Sequence, residues 1–121
     1  MVVVDDSDIA RGVAEHALTR AGMRVVGVDV PFAVASTVSE VQPDLVLMDV
    51  NMPSIRGDKL VEILRKNALP TCPVVLYSDM AASELARLSR AAGADGYIVK
   101  SFHPEELVSA VRRYLAAFCR G

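Results

Sequence analysis

Short apolar runs alternate along the chain with longer stretches in which apolar residues recur every three or four positions. The short runs cover residues 1–4, 24–28 (RVVGV), 44–48 (DLVLM), 74–77 (VVLY) and 97–99 (YIV). They are β-branched and apolar on both faces, which suits strands covered on both sides in a parallel sheet. The run at 1–4 is short even for a strand.

The intervening stretches read as helices. Over 8–21, Ile9, Val13, Ala17, Leu18 and Ala21 recur at helical spacing, with Ser7 or Asp8 available as N-cap and Gly22 as the stop. Pro31 suits the opening of a helix over 32–41. Residues 58–66 carry Leu60, Ile63 and Leu64 on one face, and 82–92 carry Leu85 and Leu88 before Gly93. Residues 104–118 carry Leu107, Val108, Val111 and Leu115. Glu105 and Glu106 open that helix, and Arg112 and Arg113 follow later, the favourable order for the helix dipole. Strands and helices in strict alternation predict an α/β fold, a doubly wound (βα)5 sandwich with right-handed crossovers.

In such sheets ligands bind beyond the carboxyl ends of the strands. The first strand runs into Asp5 and Asp6, the third ends at Asp49, the fourth at Ser78 and the fifth at Lys100, while the second offers Asp29 and Val30. Three carboxylates at one edge repel one another unless something positive lies among them. A hard divalent ion such as Mg²⁺, which takes oxygen ligands, answers that need. With the ammonium of Lys100 and the hydroxyl of Ser78, the set describes a site for a phosphoryl group.

Composition narrows the remaining classes. The 121 residues suit one domain spanning 1–121, with no second domain in this chain, and 52% hydrophobic residues suffice for a core. A formal charge of −2 argues against direct binding of nucleic acid, and 5% aromatics with no Trp argue against a base-stacking platform. Cys72 and Cys119 have no metal or redox spacing, and His16 and His103 read as solvated. No Gly-rich phosphate loop precedes a helix, so ATP and NAD are not favoured. No apolar run approaches the roughly 18 residues of a membrane span and no leader pattern is evident, so a cytoplasmic protein without membrane contact is expected.

The chain resembles the receiver domain of two-component response regulators, of the chemotaxis type. The resemblance rests on Val2-Val3-Val4-Asp5-Asp6, Pro43 to Asp49, Asn51-Met52-Pro53, Gly57, Val74 to Ser78, and Gly93 to Lys100, in order and nearly end to end. It implies a five-stranded parallel sheet of order 2-1-3-4-5 and a phosphorylation-dependent switch. By that resemblance Asp49 is the phospho-acceptor, Ser78 and Lys100 bind the phosphoryl group, and Ser78 and Tyr97 form the switch. Asp5, Asp6, Asp49 and the backbone carbonyl of Asn51 would hold Mg²⁺. The implied partners are a sensor histidine kinase or phosphotransfer protein at the first helix. A homodimer or effector would use the face of the fourth helix, fifth strand and fifth helix, with Leu85, Arg87, Arg90, Tyr97 and Arg112 as candidate contacts. Enzyme activity is expected only as self-phosphorylation and slow self-dephosphorylation at Asp49.

Two other readings remain at this level. One is a degenerate receiver that only binds partners. The other is a phosphatase of the haloacid-dehalogenase type, which wants an acid where Asn51 stands. The sequence also departs from the receiver pattern. Ser101 replaces a proline that is usually cis, and a trans bond is expected because a cis bond before a non-proline costs about 2.5–4 kcal/mol. Asp79 stands where Ala or Gly is commoner and is expected to be solvated, and Arg56, before Gly57, is expected to alter only the charge of its loop.

Overall fold

A computed structural model describes residues 1–67, 72–101 and 103–118; Cys119 lies outside them. The strands are β1 (Val2–Val4), β2 (Val26–Val28), β3 (Val46–Asp49), β4 (Val74–Ser78) and β5 (Gly96–Val99). The helices are α1 (Asp8–Arg20), α2 (Val34–Val41), α3 (Gly57–Asn67), α4 (Ala82–Ala92) and α5 (Pro104–Phe118). All strands are parallel, in the order β2-β1-β3-β4-β5. The fold and strand order are those expected.

The period-two geometry of a strand divides its side chains between two layers. Val2, Val4, Val46, Met48, Val74 and Leu76 face α2, α3 and α4, where they meet Val34, Val38, Leu60, Val61, Leu64 and Leu85. Val3, Leu47, Val75 and Ile98 face α1 and α5, meeting Ala14, Leu18, Leu107, Ala110 and Val111. Short β1 is therefore secure: it pairs on both sides and all three of its residues are buried.

Helix ends follow their local chemistry, with two differences from expectation. Ser7 caps α1 by accepting the Ala10 N–H at 3.2 Å, and Gly22 (φ 93°) and Gly93 (φ 81°) turn the chain after α1 and α4. The helix expected over 32–41 is divided, because Pro31–Ala33 forms a tighter 3₁₀ turn before α2. α2 then ends at Gln42 in the left-handed region (φ 50°), without the glycine that usually marks such a stop.

At the amino-terminal end of the sheet, Arg65 of α3 donates to the carbonyls of Gly93 and Cys72 and pairs with Asp95 at 2.6 Å. The Asp95 carboxylate also accepts the Val74 N–H. At the outer edge of β5 the Tyr114 hydroxyl accepts the Tyr97 N–H and donates to the Tyr97 carbonyl, both at 3.0 Å. Gly96 makes room for that ring, since a Cβ there would stand 2.3 Å from it. Among the described residues, no helix is long and apolar enough to cross a membrane.

Candidate functional site at the carboxyl edge of the sheet

Asp5 follows β1 directly and Asp49 closes β3, so the pairing of these strands brings both carboxyl groups to one end of the sheet. Asp5, Asp6 and Asp49 each offer a carboxylate oxygen, and these atoms all lie within 4.8 Å of one another. Asp5 and Asp49 are buried, at 2% and 3% exposure, and Asp6 is half-buried. Buried charge of one sign at this density is unfavourable without a counter-charge. Lys100 supplies part of it: its Nζ is 3.0 Å from Asp49 Oδ1 and 3.8 Å from Asp5 Oδ2.

The loops that carry these groups are tied down by specific bonds. Asp5 Oδ1 accepts the Ser7 N–H at 2.9 Å, while Arg11 Nη1 donates to the Asp5 carbonyl at 2.8 Å. The Lys100 N–H donates to the Ser78 carbonyl at 2.7 Å. No cis peptide occurs among the described residues, so the Lys100–Ser101 bond is trans and Lys100 still reaches Asp49. Ser78 is fully buried, and its Oγ accepts the Met80 N–H at 3.2 Å. Asn51 is exposed, and its backbone acts weakly to lower the Asp49 pKa.

The electrostatics follow from burial and neighbours. Burial pushes Asp49 above the usual carboxylate range; the Lys100 hydrogen bond and charge pull it part of the way back, and Asp5 pushes it up again. Burial alone pulls Lys100 down, but the bond to Asp49 and the charges of Asp49 and Asp5 reverse this and leave it above the ordinary lysine value. Burial likewise raises the Tyr77 phenol, with Lys100 opposing.

The sequence-predicted residues thus fall into two groups. Asp5, Asp6, Asp49 and Lys100 come together, and Asn51 and Ser78 flank them. Tyr97 stands apart, half-buried against the layer of α2, α3 and α4. Three expectations need correction. Leu85 is no surface contact, because it is fully buried in that same layer. Arg112 donates to the Ala21 carbonyl at 3.1 Å and so joins α5 to the end of α1. Arg56 does more than charge its loop, since its Nε pairs at 3.0 Å with the buried Asp58. Asp79 is exposed, as expected.

Three neighbours of the site, Gly57, Arg11 and Tyr77, have structural roles that the sequence did not assign to them. A Cβ on Gly57 would lie 2.1 Å from the Asp49 carbonyl oxygen, so only glycine lets α3 start against the acidic strand end. Arg11 braces the Asp5 backbone from one turn into α1. Tyr77 lies beneath Lys100, whose Nζ stands 5.2 Å from the ring centroid. Gly57 belongs to the receiver pattern without a stated reason, whereas Arg11 reads as a helix-surface residue and Tyr77 as one more apolar strand position.

The oxygen-only donor set, with three carboxylates against one nearby ammonium, fits a hard divalent cation. The sequence profile of the response regulator receiver domain matches residues 1–112. The chain is 30% identical over 115 residues to the chemotaxis protein CheY of Thermotoga maritima, covering 93% of this chain and 94% of that protein. It is 27% identical over 119 residues to the protein PilG of Pseudomonas aeruginosa, covering 98% and 88%. The crystallised chemotaxis response regulator CheY4 of Vibrio cholerae superposes with a TM-score of 0.83 at 28% identity, covering 93% of this chain and 95% of that one. Several other matched regulators are longer, and the chain spans from 24% to 55% of their length.

Proposed function

The chain belongs to the response regulator receiver domain family, and we propose that it is a signalling switch that accepts a phosphoryl group on Asp49. Receiver domains are signalling switches rather than conventional enzymes, and the whole of 1–121 reads as one such unit. The observation that carries the proposal is the buried Asp49 carboxylate, bonded by Lys100 at 3.0 Å and clustered with Asp5 and Asp6.

The donor is a phosphohistidine of a sensor histidine kinase or phosphotransfer protein. An Asp49 carboxylate oxygen attacks phosphorus as the P–N bond breaks, and the electron pair leaves on the imidazole nitrogen. Mg²⁺, held by Asp5, Asp6, Asp49 and the Asn51 carbonyl, supplies charge neutralisation at the phosphoryl oxygens when bound. Lys100 shifts from its bond with the Asp49 carboxylate to a phosphoryl oxygen. Ser78 Oγ, which already accepts from Met80, keeps its own proton to donate to another.

Movement of Ser78 toward the phosphoryl group frees space beside β4, into which Tyr97 turns, and this reshapes the face of α4, β5 and α5 for a second copy or an effector. α1 exposes Ile9 (82%) and Val13 (57%) beside the acidic edge, an apolar patch suited to a kinase or phosphotransfer helix. A cytoplasmic setting goes with such partners.

Incubation with Mg²⁺ and acetyl phosphate, or with beryllofluoride, tests the reading. Mass spectrometry should find one phosphoryl group on the wild type and none on Asp49→Asn, whose circular dichroism stays unchanged. A wild type that never takes up the group would leave only the phosphorylation-independent binding module.

A further inference from the structure

Lys100 reaches Asp49 from two strands away. It follows β5, Asp49 ends β3, and β4 lies between them. The register decides what the lysine must cross. Tyr77 pairs with Asp49 on one side and with Ile98 on the other, and paired residues of a parallel sheet project to the same face. Ile98 faces the α1 and α5 layer, and Tyr77 packs against that same layer. Lys100, two residues beyond Ile98, takes the same side. The Lys100 ammonium accordingly lies over the Tyr77 ring, 5.2 Å from its centroid, while 3.0 Å from Asp49 Oδ1 and 3.8 Å from Asp5 Oδ2.

From this juxtaposition we propose that Tyr77 is the positioning residue for Lys100, holding the ammonium over its ring face so that it stays aimed at the acceptor carboxylate. The inference deepens the phosphoryl-switch reading and rests on it. A lysine stem has four rotatable carbons and a strongly hydrated head, so a reach across an intervening strand is entropically costly and easily lost to water. An aromatic face opposes both losses, because its quadrupole attracts the cation and its area excludes water from one side. A branched aliphatic residue at 77 would fill the same layer without attracting the charge. The ring also stays beneath the ammonium when Asp49 becomes an acyl phosphate, so Lys100 keeps one partner while it changes another.

The test compares Tyr77→Phe, which keeps the ring face, with Tyr77→Leu, which removes it. In metal-free protein, proton NMR should show the Lys100 Cε protons moved upfield by the ring in wild type and Tyr77→Phe, and at ordinary values in Tyr77→Leu. With Mg²⁺ and acetyl phosphate, the saturating rate of Asp49 phosphorylation should fall roughly five- to tenfold in Tyr77→Leu, with half-saturation by the donor little changed. Tyr77→Phe should stay within about twofold of wild type. If Tyr77→Leu does not fold, phenylalanines of increasing fluorine content at position 77 keep the shape while draining the ring face, and the rate should fall with each fluorine.

An absent upfield shift in the wild type overturns the inference, as does a Tyr77→Leu rate or a fluorinated series equal to wild type. A Tyr77→Phe rate as low as that of Tyr77→Leu also overturns it by placing the effect in the hydroxyl. Failure of the wild type to phosphorylate sinks the switch reading instead, and the NMR comparison still decides the contact.

Discussion

One methyl group at position 57 would stand 2.1 Å from the Asp49 carbonyl oxygen and 3.0 Å from Met48 Cγ. The obstacle is largely backbone, so Gly57→Ala must displace either α3 or the acceptor strand. We expect a loss of about 1–3 kcal/mol in urea unfolding, together with slower phosphorylation because the acceptor moves. Asp49 itself carries a pH signature. Its raised pKa means that its contribution to folding is fully present below the ordinary carboxylate value and is lost as pH rises through the raised one. In metal-free buffer Asp49→Asn should therefore be the more stable protein near neutral pH, and the advantage should fade toward pH 4. Thermal unfolding across that range checks it, and a wild-type advantage at neutral pH would contradict it. Their positions at strand ends exposed these acids as a cluster, but Arg11 and Tyr77 became visible only as neighbours, and the reason for Gly57 only from its contact with Asp49.

Elements show the same division. α1 begins at the capped residue and β1 at the apolar run because both depend on adjacent residues. The helix expected over 32–41 instead opens as a 3₁₀ turn, with buried Pro31 heading it. β5 is an edge strand, and the outward N–H and C=O of Tyr97 are taken up by Tyr114 from α5. That link spans 17 residues of sequence and needs Gly96 beneath the ring. Tyr114→Phe keeps the ring and removes both bonds, so a cost of about 1 kcal/mol is expected. Amide exchange at Tyr97 should quicken in the variant. Uncovering a sheet edge also favours strand pairing between copies, so a rise in dimer on gel filtration would accompany it.

For the molecule as a whole, the acidic edge is a locally unfavourable arrangement that the two apolar layers support. A cation that binds only the folded state stabilises it by mass action, about 2.7 kcal/mol at a hundred times its dissociation constant. Mg²⁺ should raise the unfolding temperature of the wild type, and the rise should shrink strongly in Asp6→Asn. An equal rise in both would remove Asp6 from the proposed ligands. Much of this molecule is determined by the sequence alone. Parallel strands buried on both faces must be apolar throughout, and their helices must be amphipathic, so the (βα)5 alternation and the residues at the strand ends are local signals. Which side chains cross from one strand to another is a matter of packing. The order β2-β1-β3-β4-β5 puts β4 between Lys100 and Asp49, and with it Tyr77 beneath the lysine. The same packing buries Leu85 within the core and turns Arg112 toward α1. Local periodicity carries a residue's face but not its neighbour, because neighbours across a sheet are set by strand order and register.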